Sequence, residues 1–278
     1  MKFNSVADFN KNFPGKPKKK SKDRKKYKYE ERIVVFLDIL GFKEFIENTL
    51  VGNQIENVSR ARKMFFNIRD NFDMDEKHWK VSKSLKTIQF SDSIIITFKV
   101  TEEDQVFYSL EDIQILLIEL VKFGLLVRGA IVKGKVYHDE RIVFGPGIVD
   151  AVMKEKAAKF PRVILDREII QTAVKYKGKH QTFRSVIQSL SGIINKDEDG
   201  IYYIDYLEKV EDIFDEPYED YYLYLSDLRK LIIKYLKSDD KSIRRKYEWV
   251  KIKFNFIIKK IKDKDYKTLY IKNKDIEK

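Results

Sequence analysis

The chain has 278 residues, 43% of them hydrophobic and 13% aromatic, enough to bury a sizeable core and to exclude global disorder. It carries a net charge of +12 and no cysteine, so it offers neither a disulfide framework nor a thiolate zinc site. Its three histidines, His78, His138 and His180, are scattered, which argues against a His-based metal site.

Residues 1–27 hold Pro14, Gly15, Pro17 and a Lys/Arg cluster and read as a basic, loosely held arm. Ile33 to Ile39 is an apolar run of strand length, stopped by Gly41. Phe42 to Leu50 reads as a short helix. Ile55 to Phe72 reads as a longer one, with Ile55, Val58, Ala61, Met64, Phe65, Ile68 and Phe72 at helical spacing. Ser84 to Phe90 and Ile94 to Phe98 read as two strands joined at Ser91-Asp92-Ser93. Leu110 to Leu126 is an apolar helix with a charged face. Arg128 to Val136 is a strand in which Gly134 suggests a bulge or bend. Ile142 to Phe144 is a short strand, Gly145-Pro146-Gly147 a turn, Ile148 to Lys159 a helix, and Arg162 to Leu165 a buried strand. Beyond about residue 168 the character changes. Ile201 to Ile204 reads as one more strand, and two helices follow, from Glu219 through Leu236 and from Ile243 through Ile261. Their aromatic residues are expected to pack on the sheet or on a partner chain.

This order gives an α/β (α+β) sandwich: a mostly antiparallel sheet covered on one face by helices. The expected organisation is a basic arm (1–27), a catalytic domain (28–170) and a strand plus helical extension (171–278), the last a candidate dimer brace. Much of the excess positive charge sits near the ends, in Lys16 to Lys28 and in the last thirty residues, and Lys dominates over Arg, which favours a solvated basic tail over a nucleic-acid surface. No apolar run approaches membrane-spanning length and no apolar leader opens the chain, so a cytoplasmic protein without membrane contact is expected.

Two aspartates stand out. Asp38 lies in Val34-Val35-Phe36-Leu37-Asp38-Ile39-Leu40-Gly41-Phe42, and Asp92 lies in Ile88-Gln89-Phe90-Ser91-Asp92-Ser93-Ile94. A buried strand tolerates a carboxylate only when it is paired or binds metal. Side by side, the two would repel, and a divalent cation such as Mg²⁺ or Mn²⁺ would relieve that repulsion, with substrate phosphates completing its shell. Gly41 lets a backbone approach a phosphate closely, and a helix starting near Phe42 would point its N–H groups at that phosphate. Each aspartate alone also fits a purely structural role: Asp38 as a strand end capping the Gly41 turn, Asp92 as part of a Ser-Asp turn.

Phe36-Leu37-Asp38-Ile39-Leu40-Gly41-Phe42 resembles the first metal-binding strand of class III nucleotide cyclases, and Phe90-Ser91-Asp92-Ser93-Ile94 resembles their second metal-binding hairpin. Arg128-Gly129-Ala130-Ile131 with Gly134 is similar to a later central strand. Gly145-Pro146-Gly147-Ile148-Val149-Asp150-Ala151 is similar to the loop and helix that reach across the dimer. Phe160-Pro161-Arg162-Val163-Ile164-Leu165, Ile201-Tyr202-Tyr203-Ile204-Asp205-Tyr206-Leu207 and Lys246-Tyr247-Glu248-Trp249-Val250 with Asn255 resemble segments of the bacterial Pycsar antiphage pyrimidine cyclases.

The resemblance implies a uridylate or cytidylate cyclase, with uridylate favoured. Two Mg²⁺ or Mn²⁺ ions would be held by Asp38, Asp92 and the Ile39 carbonyl. The backbone of Leu40, Gly41 and Phe42 would cradle the phosphates. The sites would be shared between the chains of a head-to-tail homodimer. Its product, a cyclic pyrimidine nucleotide, would be read by a separate effector in antiphage defence. Purine cyclases carry a lysine four residues before the second aspartate; here that position is Ile88, which argues against ATP and GTP and makes Ile88 and Phe90 candidate base-contacting residues. The cross-dimer asparagine and arginine fall on Val149 and Met153 or on Asp150 and Lys154; the second register offers Lys154 as a catalytic cation. Arg128 either faces the triphosphate or pairs with a carboxylate, and Arg162 is a further candidate phosphate contact.

Overall fold

The structure is a computed structural model that describes residues 27–73 and 84–277. Most of the basic arm and His78 lie outside the described residues. Strand β1 (Glu30–Leu40) is central in the sheet and buried on both sides. Ile33, Val35, Leu37 and Ile39 enter the main core, while Val34 and Phe36 enter a smaller cluster on the opposite face. Burial on both faces explains why this stretch reads as a continuous apolar run and does not alternate.

Helix α1 (Phe42–Asn48) follows at once, and α2 (Gln54–Asp73) packs Ala61, Met64 and Ile68 inward. Ile55 and Val58, expected on that buried stripe, are 83% and 55% exposed. The hairpin β2 (Lys86–Phe90) and β3 (Ser93–Lys99) leads into α3 (Gln105–Lys122). Gly124, at φ 78°, ends that helix before the expected Leu126 and frees Leu126 to open β4 (Leu126–His138).

β4 pairs with β1 in unbroken register from Leu40↔Leu126 to Glu30↔Val136, so the bulge expected at Gly134 does not occur. Its glycine serves a close approach instead: a Cβ there would stand 2.6 Å from Cα of Gly147. Gly147 opens α4 (Pro146–Ala157), which follows the two-residue strand β5 (Val143–Phe144) and packs on Val34, Val132 and Val136. One helix therefore lies on the face opposite the main core, where the sequence pattern led us to expect helices on one face alone.

β6 (Val163–Leu165) adds parallel to β4, and α5 (Arg167–Lys175) and α6 (Phe183–Ile193) return the chain to the sheet edge. β7 (Ile194–Lys196) and β8 (Tyr202–Ile204) then extend the sheet, giving the order β2-β3-β1-β4-β6-β8-β7 with β5 paired to β4. All pairings except β4–β6 are antiparallel. Residues beyond 170 thus complete the same sheet. Helices α7 (Pro217–Leu236) and α8 (Lys241–Lys260) join the main core through Leu225, Leu228, Val250 and Phe254, and a short α9 (Lys264–Lys267) follows. Among the described residues, no helix is long and apolar enough to cross a membrane.

Candidate functional site

The cross-strand register brings the two singled-out aspartates together. Asp38, near the end of β1, stands opposite Ser93 on one side and Arg128 on the other. Asp92 occupies the two-residue loop between β2 and β3, and its carbonyl accepts the Ile39 N–H at 2.9 Å. Ser91, the first loop residue, takes a positive φ of 57°, as tight hairpin turns demand. The result is one acidic corner built from residues about fifty apart in sequence.

Electrostatics follow from this placement. Burial raises the Asp38 carboxyl above its ordinary range, and the Asp92 charge adds to the rise; Arg128 and Lys246 oppose it. The Arg128 guanidinium donates to Asp38 Oδ2 at 3.2 Å and, through Nε, to Glu155 on α4. Glu155 is buried, and that burial lifts its carboxyl while Arg128 holds it down. Arg128 therefore pairs with carboxylates, one of the two roles open to it from sequence.

Glu155 itself went unread in the sequence. It continues the buried stripe Gly147, Ala151, Glu155 of α4, and a carboxylate on that small apolar stripe is the signal that would have found it. Lys246 on α8, whose charge reaches Asp38, lies in a segment that carries the resemblance, but nothing local in it points to Asp38.

Gly41 adopts φ 81°, left-handed, and its carbonyl accepts the Phe45 N–H at 3.0 Å as α1 begins. Leu40, Gly41 and Phe42 thus form the turn directly after Asp38 and Ile39. Ile88 and Phe90 lie on the same face of the sheet as Asp38, opposite Ile95 and Ser93. Phe90, two strands from Asp38 in the same row and so about 10 Å away, is 81% exposed.

Two candidates sit elsewhere. Lys154 is on α4, ion-paired to Asp166 and outside the Asp38 cluster of its own chain; Val149, Asp150 and Met153 are exposed on the same helix. Arg162 is fully buried and committed to Asp197 and Asp199, beside the stacked rings of Phe160 and Trp249. Trp249 Nε1 donates to Asp197 at 2.9 Å. A guanidinium sealed in this way ties the start of β6 to α8 and cannot reach a phosphate, which corrects the substrate-binding role expected for it.

The fit to a divalent cation is chemical. Asp38 and Asp92 are hard oxygen donors that repel one another, and the donor set lacks sulfur and imidazole, which suits Mg²⁺ or Mn²⁺. Among the described residues no group of three or more His, Cys, Asp or Glu forms a closed cage. Two carboxylates alone match an ion that takes its remaining ligands from water and substrate phosphate.

No protein-family model matches the chain, and neither does any curated protein. Among solved structures, it is similar to a class III adenylyl cyclase-like ATP-binding protein from Pseudomonas aeruginosa, with 12% identity and a TM-score of 0.39 over 58% of this chain. That overlap spans 40% of the other protein's length. It is also similar to the catalytic core of a rhodopsin-guanylyl cyclase with converted specificity in complex with ATPalphaS, with 13% identity and a TM-score of 0.38. This second overlap covers 64% of the chain and 96% of that core.

Proposed function

We propose that the chain is a metal-dependent nucleotidyl cyclase that converts UTP, or CTP, into the 3′,5′-cyclic nucleotide and pyrophosphate. The observation that carries this reading is the acidic corner of Asp38 and Asp92, followed within three residues by the left-handed Gly41 turn. Asp38, Asp92 and the Ile39 carbonyl would hold two Mg²⁺ or Mn²⁺ ions. Such ions supply activation of the 3′-hydroxyl and neutralisation of the triphosphate charge. The backbone of Leu40, Gly41 and Phe42 would receive the phosphates, and Arg128 would orient Asp38 from its anchor on Glu155. Ile88 stands on the Asp38 face where a purine reader would need a hydrogen-bonding group, which supports a pyrimidine substrate. The exposed side of α4, with Asp150 and Lys154, suits a cross-dimer role, so a homodimer belongs to the proposal. So does a second-messenger role in antiphage defence, with the product read by a separate effector.

A second reading has its own observation. Arg128 already supplies a cation to Asp38, as in a domain that binds nucleotide without turning it over. Incubation with each of the four ribonucleoside triphosphates and Mn²⁺, with products resolved by mass, separates the two. A single cyclic pyrimidine product, abolished by Asp38→Ala and by Asp92→Ala, is the expected result. Nucleotide binding without pyrophosphate release would establish the silent domain, and a cyclic purine product would overturn the role given to Ile88.

A further inference from the structure

We propose that α7 positions the Gly41 turn, and that Glu44 and Tyr235 are positioning residues of the site through a contact spanning the chain. This rests on the reading that the turn receives the nucleotide's phosphates.

Helix α1 has seven residues and buries none of them fully; Phe42 and Phe45 pack only partly on the main core, and isolated helices of this length do not hold. Its orientation comes from outside. Tyr235 Oη donates to Glu44 Oε2 at 2.8 Å, and Lys234 Nζ donates to Oε1 at 2.6 Å, so both carboxylate oxygens of Glu44 are held by α7. Tyr235 is itself fixed, buried and stacked on Tyr247 of α8 with ring centroids 4.6 Å apart.

The same hydroxyl reaches the turn directly. A Cβ on Gly41 would stand 3.2 Å from Tyr235 Oη, so the hydroxyl occupies the space beside the glycine. A cleft of about 360 Å³, lined by Gly41, Glu44, Phe45, Arg60, Leu231 and Tyr235, flanks this contact. Hydrogen bonds, more than close packing, therefore join α7 to the turn on this side.

Charge supports the same role. Glu44 lies in the first turn of α1, where a bare carboxylate would repel an incoming phosphate. The Lys234 ammonium, followed by the Tyr235 hydroxyl, holds its carboxyl below the usual range and offsets that repulsion.

The experiment pairs Tyr235→Phe, which keeps the ring stacked and removes the donor, with Glu44→Gln, which keeps an acceptor at a half-buried position. Amide hydrogen exchange of residues 41–47 is read alongside the nucleotide KM and kcat in Mn²⁺. Tyr235→Phe should speed exchange at 41–47 about tenfold, without a matching change in α3 or β4, and raise KM about tenfold with kcat changed far less. Glu44→Gln should do less of both, and the double variant should exceed Tyr235→Phe, because the Lys234 ion pair to Glu44 is then lost as well. Unchanged exchange at 41–47, or an acceleration spread equally over the fold, would overturn the proposal. So would faster local exchange with an unchanged KM. A parent protein that neither binds nor turns over nucleotide would instead sink the cyclase reading, and the exchange result alone would then decide whether α7 holds the turn.

Discussion

Arg128→Gln tests the centre of the site. Arg128 bridges Asp38 and Glu155, and the three side chains are 21%, 24% and 4% exposed, respectively. Removing one partner of a fully buried ion pair costs about 3–5 kcal/mol, and partial solvation of Arg128 and Asp38 brings the expected loss to about 2–3 kcal/mol. The loss has a definite pH dependence. Both carboxyls already have folded pKa values raised above 3.8 and 4.5, so the native state binds more protons than the unfolded state above those values. Their contribution to stability therefore falls as pH rises through that window and is recovered as pH falls. Without Arg128 both carboxyls rise further, so the deficit of the variant should shrink between about pH 7.5 and about pH 5. Urea melts at the two pH values measure it. A divalent cation offers the same relief, and Mn²⁺ should stabilise Arg128→Gln more than the parent, because Asp38 is no longer shared. A deficit below about 0.5 kcal/mol, or one independent of pH, would refute this charge arrangement.

Three further outcomes are expected. His138 is buried, with its imidazole held down to about 4 by burial and then by Arg32, so the unfolded chain gains its proton first, below 6.5. Stability should fall by about 1.4 kcal/mol per pH unit between those values, and His138→Phe should remove that slope while Thr97 keeps its bond from Arg32; equal slopes in melts of both proteins would count against it. Gly41→Ala forces a side chain into φ 81° and toward Tyr235, costing about 1–2 kcal/mol in a denaturant melt, with a raised nucleotide KM in turnover assays. Arg162→Met should lower stability by about 3 kcal/mol, yet leave the nucleotide KM of the folded protein unchanged; a raised KM would restore Arg162 as a substrate contact.

The order of elements from β1 to β6 was legible because each long apolar segment kept one period and was punctuated by glycine or by a charged turn. Helix ends were less so: Gly124 stops α3 through a left-handed conformation that a run of leucines conceals. The short α5, α6 and β7 escaped notice because nine, eleven and three residues give too few repeats to establish a period. Gly134 read as a bulge because sequence marks a missing side chain without saying what comes close; the answer was the backbone of Gly147, thirteen residues later. Of the aromatic residues of the last third, expected on the sheet or on a partner, Tyr221, Tyr224, Tyr235, Tyr247 and Trp249 are buried within the chain, while Tyr218 and Phe256 are exposed.

The site divides along the same physical line. Asp38 and Asp92 were visible because a carboxylate in or directly beside an apolar strand is locally anomalous. Arg162 was a further candidate phosphate contact, yet its partners, Asp197 and Asp199, lie on the turn between β7 and β8, and no local pattern distinguishes a buried structural cation from one awaiting a phosphate. Glu155, Tyr235 and Lys246 act at the corner only because α4, α7 and α8 converge on the end of β1. The acidic pair is thus a local feature of two strands, while the groups that set its charge and hold its turn come from the length of the chain. Substitutions in α7 and α8 should for that reason act on the Asp38 corner as strongly as substitutions in the adjoining loops.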